Sequence, residues 1–255
     1  MKVAAVLRQV PDVVEELVIG ADGRSLSEAD LMYVTNEADE HALEQALILK
    51  GRDGAHVVAI SSGGDEARAA LASAVAKGAD EAYFAPVPFA SRADNHHLAA
   101  TLASVMKGAG YDLILTGVWA SDQLDAGLGG LLAAELGLPY VGGLTSVSAP
   151  AESAKATVRK EFPGGRLGVM EVDLPAVLGI QSAENPPRYV PVSKVMQAKR
   201  SLQAQTIPPA ASHEARVHLR KLTKPEAATR AEMISGSPEE VADRLVRILR
   251  ERGVA

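Results

Sequence analysis

Residues 112–139, DLILTGVWASDQLDAGLGGLLAAELGLP, decide the fold of this chain. The apolar run at 113–117 predicts a short buried strand that ends in a glycine. A helix of small and apolar residues is expected to follow from about Leu124, with Asp122 and Asp125 near its beginning. A strand that leads into such a helix is typical of an anion site, because free backbone N–H groups and the helix dipole point outward from a helix N terminus.

The first turns of this predicted helix carry almost no side-chain bulk, since they contain Ala126, Gly127, Gly129 and Gly130. Small residues would let a phosphate approach the backbone closely. They would equally let a helix pack close against a sheet, and both interpretations stay open at this point. The segment contains neither GxGxxG nor GxxxxGK[ST], so neither a dinucleotide fingerprint nor a P-loop is predicted.

Composition limits the class of protein. With 255 residues, of which 47% are hydrophobic, the chain can bury a large core. The absence of cysteine excludes disulfides, thiolate chemistry and cysteine-ligated metals. A net charge of -6 argues against nucleic acid as the main partner.

The chain also lacks the signals of a membrane protein or a secreted protein. No apolar run approaches the ~18 residues that a membrane span needs, so no membrane insertion is expected. Met1 and Lys2 lead directly into the apolar run VAAVL, without the pattern of a cleavable targeting peptide. The sequence therefore predicts a cytoplasmic location.

The first two-thirds of the chain alternates short apolar runs with helical patterns. Alternation of this kind predicts parallel βαβ units with ligands at the carboxyl ends of the strands. Asn36 is expected to cap its helix, with Asp39 in the capping-box position. The predicted strands are 3–7, 56–60, 81–84 and 113–117, and the helices between them are 36–50, 65–77 and 95–107.

The loops that follow the strands predict where a ligand would bind. The loops at 8–12, 61–64 and 117–125 each follow a predicted strand of the same sheet. Because the carboxyl ends of parallel strands meet at one edge of a sheet, we expect these loops to gather there. That edge is the predicted site.

After Pro139 the pattern changes. Residues 157–162 and 166–172 predict a β-hairpin, and 176–181 a further strand. Residues 182–200 are rich in proline and show no helical period until their end. The predicted domains are an α/β nucleotide-binding domain at 1–200 and a C-terminal arm at 201–255.

The predicted arm ends in a helix. Ser237 and Pro238 form a strong helix start, followed by an apolar stripe at helical spacing, which consists of Val241, Leu245, Ile248 and Leu249. An arm with so little core of its own is expected to lie on a partner. Docking back on its own domain is the alternative.

Several motifs follow one another in a recognisable order. They are RQVPD at 8–12, NEADEHALE at 36–44, GAD at 78–80, GVWASD at 117–122, NPPRY at 185–189 and VMQAK at 195–199. Together they resemble the β subunit of electron transfer flavoprotein over nearly the whole chain, and NPPRY followed by VMQAK is the most specific part.

The resemblance implies a fold and a role. The fold would be α/β and Rossmann-like, of the adenine nucleotide α-hydrolase-like type. It would have a mostly parallel sheet with helices on both faces, a β-hairpin and an extended C-terminal arm that ends in a helix. The chain would form a heterodimer with an α subunit, help to clamp the FAD that lies mostly in α, and hold AMP. Such a subunit is an electron carrier rather than an enzyme, because the flavin carries the redox chemistry.

The resemblance also implies which residues bind cofactor. Carried across by position, the AMP pocket would consist of Val6, Asn36, Glu37, Ala38, Asp39, Ser62, Gly117, Val118, Trp119, Ala120, Ser121, Asp122, Gln123, Leu124, Asp125, Ala126, Gly127 and Leu128. Residues 182–195 resemble the family's recognition loop, in which an apolar anchor docks on a flavin-containing dehydrogenase. The matching anchor is Val192.

Some residues depart from the family pattern. Trp119 stands where the family usually has glutamine, and QLDAGL at 123–128 replaces the common D-G-D-T-x-Q-V. These changes leave two alternatives open: a second FAD in place of AMP, as in electron-bifurcating members, and a subunit that has lost its nucleotide. A universal-stress-type adenine-nucleotide-binding module is an alternative of another class, but its G-x-x-G-x9-G-[S/T] loop is missing here.

Overall fold

A computed structural model describes residues 1–27, 31–87, 94–123, 125–150, 152–202, 204–206, 216–225 and 231–254. The chain forms two compact units, Met1–Leu222 and Thr223–Ala255. The predicted domain boundary at residue 200 stays a prediction.

The first unit is built around a ten-stranded sheet. The strands are β1 (Lys2–Pro11), β2 (Tyr33–Thr35), β3 (His56–Gly63), β4 (Glu81–Pro86), β5 (Leu113–Gly117), β6 (Tyr140–Ser148), β7 (Lys155–Phe162), β8 (Arg166–Asp173), β9 (Ala176–Ile180) and β10 (Gln205–Thr206). Their order is β10-β4-β3-β1-β5-β9-β6-β7-β8, and β2 pairs with β1. Strands β10 to β6 in that order run parallel, whereas β7, β8 and β2 pair antiparallel.

The helices cover both faces of the sheet. They are α1 (Glu37–Asp53), α2 (Asp65–Lys77), α3 (Asn95–Met106), α4 (Leu128–Leu136) and α5 (Val192–Ser201). Helices α1 and α2 pack on one face, in a core that includes Leu7 and Leu115. Helices α3 and α4 pack on the other face, in a core that includes Val6 and Ile114. The predicted α/β, mostly parallel architecture is therefore confirmed.

The central strands are apolar throughout because both of their faces are buried. Val3, Ala5 and Leu7 of β1 point into one core, while Ala4 and Val6 point into the other. All of them are at most 1% exposed. Central parallel strands therefore show continuous apolar runs in place of a polar–apolar alternation.

Two predictions of local structure are confirmed closely. Helix α2 spans Asp65–Lys77 and ends at Gly78, whose φ of 122° is one that a glycine adopts most readily. The hairpin forms from β7 and β8, and two glycines with positive φ, Gly164 and Gly165, make its turn.

The predicted beginning of α4 is wrong by about one turn. The helix begins at Leu128 rather than near Leu124, which lies outside the described residues. The Asp125 carboxylate accepts a hydrogen bond from the Gly127 backbone N–H at 3.1 Å, and Ala126 has a φ of 48°. This side-chain-closed turn competes with helical hydrogen bonding, so the helix starts after it.

The predicted capping box at α1 is also wrong. Asn36 is the N-cap residue, but its side chain makes no capping hydrogen bond. Its amide nitrogen donates instead to the Trp119 carbonyl, and Asp39 accepts hydrogen bonds from Arg8. Long-range partners therefore take both side chains away from the helix end.

The sequence patterns missed several elements. Strand β6 was not predicted, and β1 and β3 extend beyond their predicted ends to Pro11 and Gly63. Helix α5 begins at Val192 and packs against α2 within a stretch that shows little helical period. Near the beginning of the predicted arm, Gln205 and Thr206 add a parallel strand beside β4. Of that arm, residues 203, 207–215, 226–230 and 255 lie outside the described residues.

The second unit contains α6 (Pro238–Glu251). The predicted start is confirmed: the Ser237 hydroxyl accepts from the Glu240 backbone N–H, and the Glu240 carboxylate accepts from the Ser237 N–H at 2.8 Å. In the stripe, Leu245 and Leu249 are 47% and 42% exposed. Within the described part of the chain, none of the helices is long and apolar enough to cross a membrane.

Candidate functional site

The loops that follow β1, β3 and β5 lie together, as predicted. These three strands are parallel neighbours in the sheet, so their carboxyl ends share one edge. A cleft at this edge is lined by Arg8, Gln9, Ser62, Val87, Leu98, Asp122 and Gln123. The lining brings together polar groups from the carboxyl ends of β1 and β3 and from the loop after β5.

A buried ion pair between Arg8 and Asp39 lies beneath this edge. The Arg8 Nη2 and Nε atoms contact the two Asp39 carboxylate oxygens at 2.8 and 2.9 Å. The Arg8 backbone N–H also donates to this carboxylate, at 2.9 Å. Arg8 is 4% exposed and Asp39 is fully buried, so each charge depends on the other for compensation.

The environment of Arg8 affects its pKa in two opposite directions. Burial lowers the pKa of the guanidinium, while the charge and the hydrogen bonds of Asp39 raise it. The second effect wins, so the pKa of Arg8 lies above its ordinary value. Arg8 therefore carries a permanent positive charge at the edge where an anion is expected.

Arg8 also fixes the loop that follows β5. Its guanidinium donates to the carbonyls of Gly117 and Trp119 at 3.2 and 3.0 Å, and to the Gln123 side chain at 3.0 Å. The Asn36 amide donates to the same Trp119 carbonyl at 2.8 Å. The loop at 117–123 is thus held by side chains from β1 and from the residue before α1.

Gly117 is required by packing at this point. A Cβ atom at this position would lie 2.3 Å from Asp39 Oδ1 and 2.7 Å from the backbone of Ala38. The Gly117 N–H donates to Asp39 Oδ1 at 2.9 Å. The end of β5 therefore approaches the first turn of α1 so closely that only glycine fits.

The two interpretations of the glycine-rich helix start apply to different glycines. At Gly129, a Cβ atom would lie 2.6 Å from the Tyr140 ring and 2.9 Å from the Thr116 hydroxyl, so this glycine serves packing. At Gly127, the nearest atom would be a Leu131 methyl at 3.4 Å, which leaves room for a side chain. Packing within the chain therefore does not explain Gly127.

The turn before α4 has the features of an anion-binding concavity. Ala126 has a positive φ and Gly127 is right-handed, with φ -89° and ψ -15°, an alternation that directs successive backbone N–H groups to one side. The Asp125 carboxylate already accepts from the Gly127 N–H and from the Asn95 amide. A negatively charged oxygen thus lies where the backbone donors converge.

Asn95 adds an unsatisfied acceptor beside this turn. Its side chain is fully buried, its amide nitrogen donates to Asp125, and its Oδ1 atom has no hydrogen-bond partner among the described residues. Buried polar atoms are usually paired. A hydroxyl or amino group of a nucleotide would supply the missing donor, so the residues at this edge fit such a ligand.

The other predicted site residues differ in exposure. Asn36, Ala38, Ala120 and Leu128 are buried, and Val6 lies wholly in the core beside α3 and α4. Trp119 is 48% exposed at the edge. Exposed or partly exposed positions are Glu37, Val118, Ser121, Asp122, Gln123, Asp125, Ala126 and Gly127. Leu124 lies outside the described residues.

Sequence reasoning assigned no role to two polar residues of this edge. Arg8 lies in the stretch 8–12 that was expected at the edge, but it was not among the assigned site residues, although an arginine directly after a buried apolar run needs a partner. Asn95 gave no comparable signal, because an asparagine at a helix start is common.

The stretch at 182–195, predicted as a recognition loop, is exposed around Val192. Val192 is the first residue of α5 and is 71% exposed, and Tyr189 nearby is 85% exposed. Met196, one turn further along α5, is 47% exposed. Three large apolar side chains thus face outward within one short stretch.

Comparison with known proteins supports a family assignment. The model of the electron transfer flavoprotein domain matches residues 25–212. Electron transfer flavoprotein subunit beta of Methylophilus methylotrophus is 31% identical over 264 residues, which cover 98% of this chain and 98% of that protein.

Two further relatives match over a shorter range. The subunit beta of Clostridium acetobutylicum is 35% identical over 198 residues, covering 78% of this chain and 75% of its own. Subunit CarD of the caffeyl-CoA reductase–Etf complex of Acetobacterium woodii is 32% identical over 200 residues, with the same coverage of 78% and 75%. With its parallel sheet, its helices on both faces and these matches, the chain belongs to the family of electron transfer flavoprotein β subunits.

Proposed function

We propose that this chain pairs with an α subunit, helps to clamp FAD, and holds AMP at the edge formed by β1, β3 and β5. In this role it is an electron carrier subunit that accepts electrons from flavin dehydrogenases and passes them to a downstream acceptor. FAD, when bound, supplies the redox chemistry, and the protein supplies placement and electrostatics. Membership of the family sets aside a universal-stress-type module.

The observation that carries the AMP proposal is the combination of the turn at Gly127 with the unsatisfied Asn95 acceptor. Backbone N–H groups at the beginning of α4 would hold the phosphate, since a helix N terminus attracts anions. Ser62 lines the cleft at the same edge, and its hydroxyl would take the sugar or the base. The Asp125 carboxylate accepts from the Gly127 N–H at 3.1 Å, so it occupies the place proposed for the phosphate. It would have to move aside, because a carboxylate and a phosphate repel each other at close range.

The buried positive charge of Arg8, which lies beneath this edge, also supports the AMP proposal. Asp39 neutralises it in part, but the guanidinium also spans the loop that would surround the nucleotide. Arg8 would therefore act by shaping the loop at 117–123 and by lowering the electrostatic cost of a phosphate nearby.

The exposed apolar tip at Val192 supports docking on a dehydrogenase. Exposed apolar side chains that cluster on a short stretch are typical of protein–protein contacts. Burial of a side chain of this size contributes about 1–3 kcal/mol at an interface. Val192→Ala should therefore slow reduction by the dehydrogenase and leave the visible spectrum of the complex unchanged.

The decisive experiment counts nucleotides. The chain is co-expressed with its α subunit, and the purified complex is denatured and its released nucleotides are quantified. One AMP per β chain and one FAD per heterodimer is the expected result. Two FAD and no AMP would assign the chain to the electron-bifurcating class, and no second nucleotide would leave the turn at Gly127 without a ligand.

A further inference from the structure

The segment at 182–191, SAENPPRYVP, makes most of its hydrogen bonds with one helix, α1. Two more involve β6, where the Ser182 N–H donates to the Leu144 carbonyl and the Ser146 hydroxyl donates to the Glu184 carboxylate. The segment is neither helix nor strand, and its three prolines have no N–H group to donate. The backbone N–H groups of Ala183, Glu184 and Arg188 donate to side chains of α1. The donors reach His41 Nδ1 at 3.1 Å, Gln45 Oε1 at 3.3 Å and Glu44 Oε2 at 3.0 Å.

The contact between Glu44 and Arg188 is the strongest of this set. Arg188 Nε and Nη2 donate to the two Glu44 carboxylate oxygens, each at 2.8 Å, in the bidentate geometry that arginine and carboxylate favour. Glu44 is 5% exposed, whereas the Arg188 side chain is 40% exposed. If Arg188 were lost, a buried carboxylate would lose its partner.

A second contact fixes the beginning of the segment. The Gln45 amide nitrogen donates to Glu184 Oε1 at 3.1 Å and to the Val147 carbonyl at 3.2 Å. Gln45 is fully buried. Hydrogen bonds to α1 therefore hold the segment at two places, at 183–184 and at 188.

The three side chains of α1 form one row. His41, Glu44 and Gln45 stand at i, i+3 and i+4, so they share a helix face. The neighbouring Ala42 and Leu43 are buried in the core against the sheet. Since the core fixes the rotation of α1, it also fixes where this row holds the segment.

Arg188 is the last anchored residue before the exposed tip. Tyr189 follows it directly, and Val192 begins α5 shortly afterwards. The two apolar side chains thus extend from a point whose position α1 determines. A docking surface that is ordered beforehand loses less conformational entropy when the partner binds.

We propose that the row His41, Glu44 and Gln45 positions the docking segment, with Glu44 as the main positioning residue acting through Arg188. The inference rests on the proposed docking of Val192 on a flavin dehydrogenase. Glu44 touches neither cofactor nor partner in this proposal. It fixes the place from which Tyr189 and Val192 meet the electron donor.

The test uses the co-expressed αβ complex and a purified flavin-containing dehydrogenase for which the wild-type complex is a saturable electron acceptor. Glu44→Gln removes the charge that holds Arg188 and keeps the shape of the side chain. We expect the KM for the complex to rise about tenfold, which corresponds to about 1.4 kcal/mol, with kcat unchanged. Hydrogen exchange of the peptide at 183–190 should become faster, while exchange elsewhere stays as in the wild type.

Lys50→Gln is the matched control, because Lys50 lies on the same helix and its ion pair with Asp80 does not involve the docking segment. It should leave KM and the exchange at 183–190 unchanged. Val192→Ala separates the two proposals. If Val192→Ala raises KM and Glu44→Gln does not, docking stands and the positioning role is wrong. If neither substitution changes KM, the docking proposal fails and this inference fails with it.

Discussion

Arg8 and Asp39 show how a single pair of side chains can connect three elements. The Asp39 carboxylate receives hydrogen bonds from β1, through Arg8, and from the end of β5, through the Gly117 N–H. It also belongs to the first turn of α1. The geometry of the predicted nucleotide edge therefore depends on one buried carboxylate.

Asp39→Ala should accordingly be strongly destabilising. It leaves the Arg8 guanidinium buried without its counter-charge, which costs about 3–5 kcal/mol of unfolding free energy. Urea unfolding of the isolated chain measures this loss, and Trp119, the only tryptophan, reports on the affected loop by its fluorescence.

Glu171→Ala is the control for Asp39→Ala. It removes an exposed partner of Lys155, 3.4 Å away, and should cost less than about 1 kcal/mol. Equal effects of the two substitutions would contradict the structural role given to Asp39.

The substitution Gly127→Val tests whether the turn before α4 binds a phosphate. The neighbouring atoms leave space for a side chain there, so Gly127→Val should affect folding little. A valine would nevertheless block close approach of a ligand to the backbone. We expect at least about tenfold weaker retention of AMP by the purified complex, with its FAD content unchanged.

Gly130→Val is the control for Gly127→Val. Its Cβ atom would meet only the Tyr140 ring, at 3.8 Å. Loss of AMP from both variants would indicate a general effect on α4 rather than a phosphate site.

At the scale of single elements, the contact between Glu44 of α1 and Arg188 should depend on pH in a measurable way. Burial raises the pKa of Glu44, but the hydrogen bonds and charge of Arg188 lower it more, with a smaller contribution from Lys77. The net pKa in the folded chain therefore lies below the ordinary value of 4.5. Because the folded pKa is depressed, the stabilising contact is fully present above the unfolded value and is lost as pH falls through the folded value.

The contact between Glu44 and Arg188 should therefore persist when the pH falls to 4.5, and should be lost only at lower pH. Carbon-13 NMR of the Glu44 carboxyl group, with Arg188→Lys for comparison, measures this directly. The variant keeps the charge but loses the bidentate geometry, so its Glu44 pKa should move upward. A wild-type pKa above 4.5 would contradict the role of Arg188.

The helix boundaries also show which structural features can be predicted from the sequence. Helix α2 was predicted to the residue because its boundaries are local: acidic residues begin it, and Gly78 ends it. Helix α4 was misplaced because the Asp125 side chain closes a turn on the Gly127 N–H before the helix, and a run of small residues does not reveal that competition. The capping box at Asn36 failed for a different reason, since the distant residues Arg8 and Trp119 take both side chains.

The candidate site was visible in part. Alternating strands and helices predicted a parallel sheet, and this placed the carboxyl ends of β1, β3 and β5 at one edge, as the structure has them. The partners within that edge could not be inferred, because hydrogen bonds such as Arg8 to Gln123 join residues that no local pattern relates. The exposed tip at Val192 came from the resemblance, while its anchoring by Glu44 required the structure.

At the scale of the whole molecule, the two compact units suggest different duties. The unit Met1–Leu222 contains the sheet, both cores and the edge proposed to bind a nucleotide. The unit Thr223–Ala255 contains α6, in which none of the residues is buried, although its stripe is apolar. An amphipathic helix with an exposed apolar face fits a surface on another protein, and the α subunit is the partner proposed here.

Deleting residues 223–255 from the co-expressed chain tests this division. The cut lies beyond β10, so the pairing of Gln205 and Thr206 with β4 is preserved and the remaining unit keeps its sheet. We expect the truncated chain to keep the cooperative unfolding transition of a folded α/β unit, while the complex loses FAD during gel filtration. Flavin absorbance that co-elutes with protein measures the loss.

Leu245→Asp is the finer variant, since it places a charge on the apolar stripe, where burial against a partner would be costly. Arg247→Asp puts the same charge on the opposite face of α6 and is the control. Leu245→Asp should weaken the heterodimer and Arg247→Asp should not. A truncated complex that retains one FAD per heterodimer, or an isolated full-length chain that holds stoichiometric FAD as a monomer, would show that the second unit does not serve assembly.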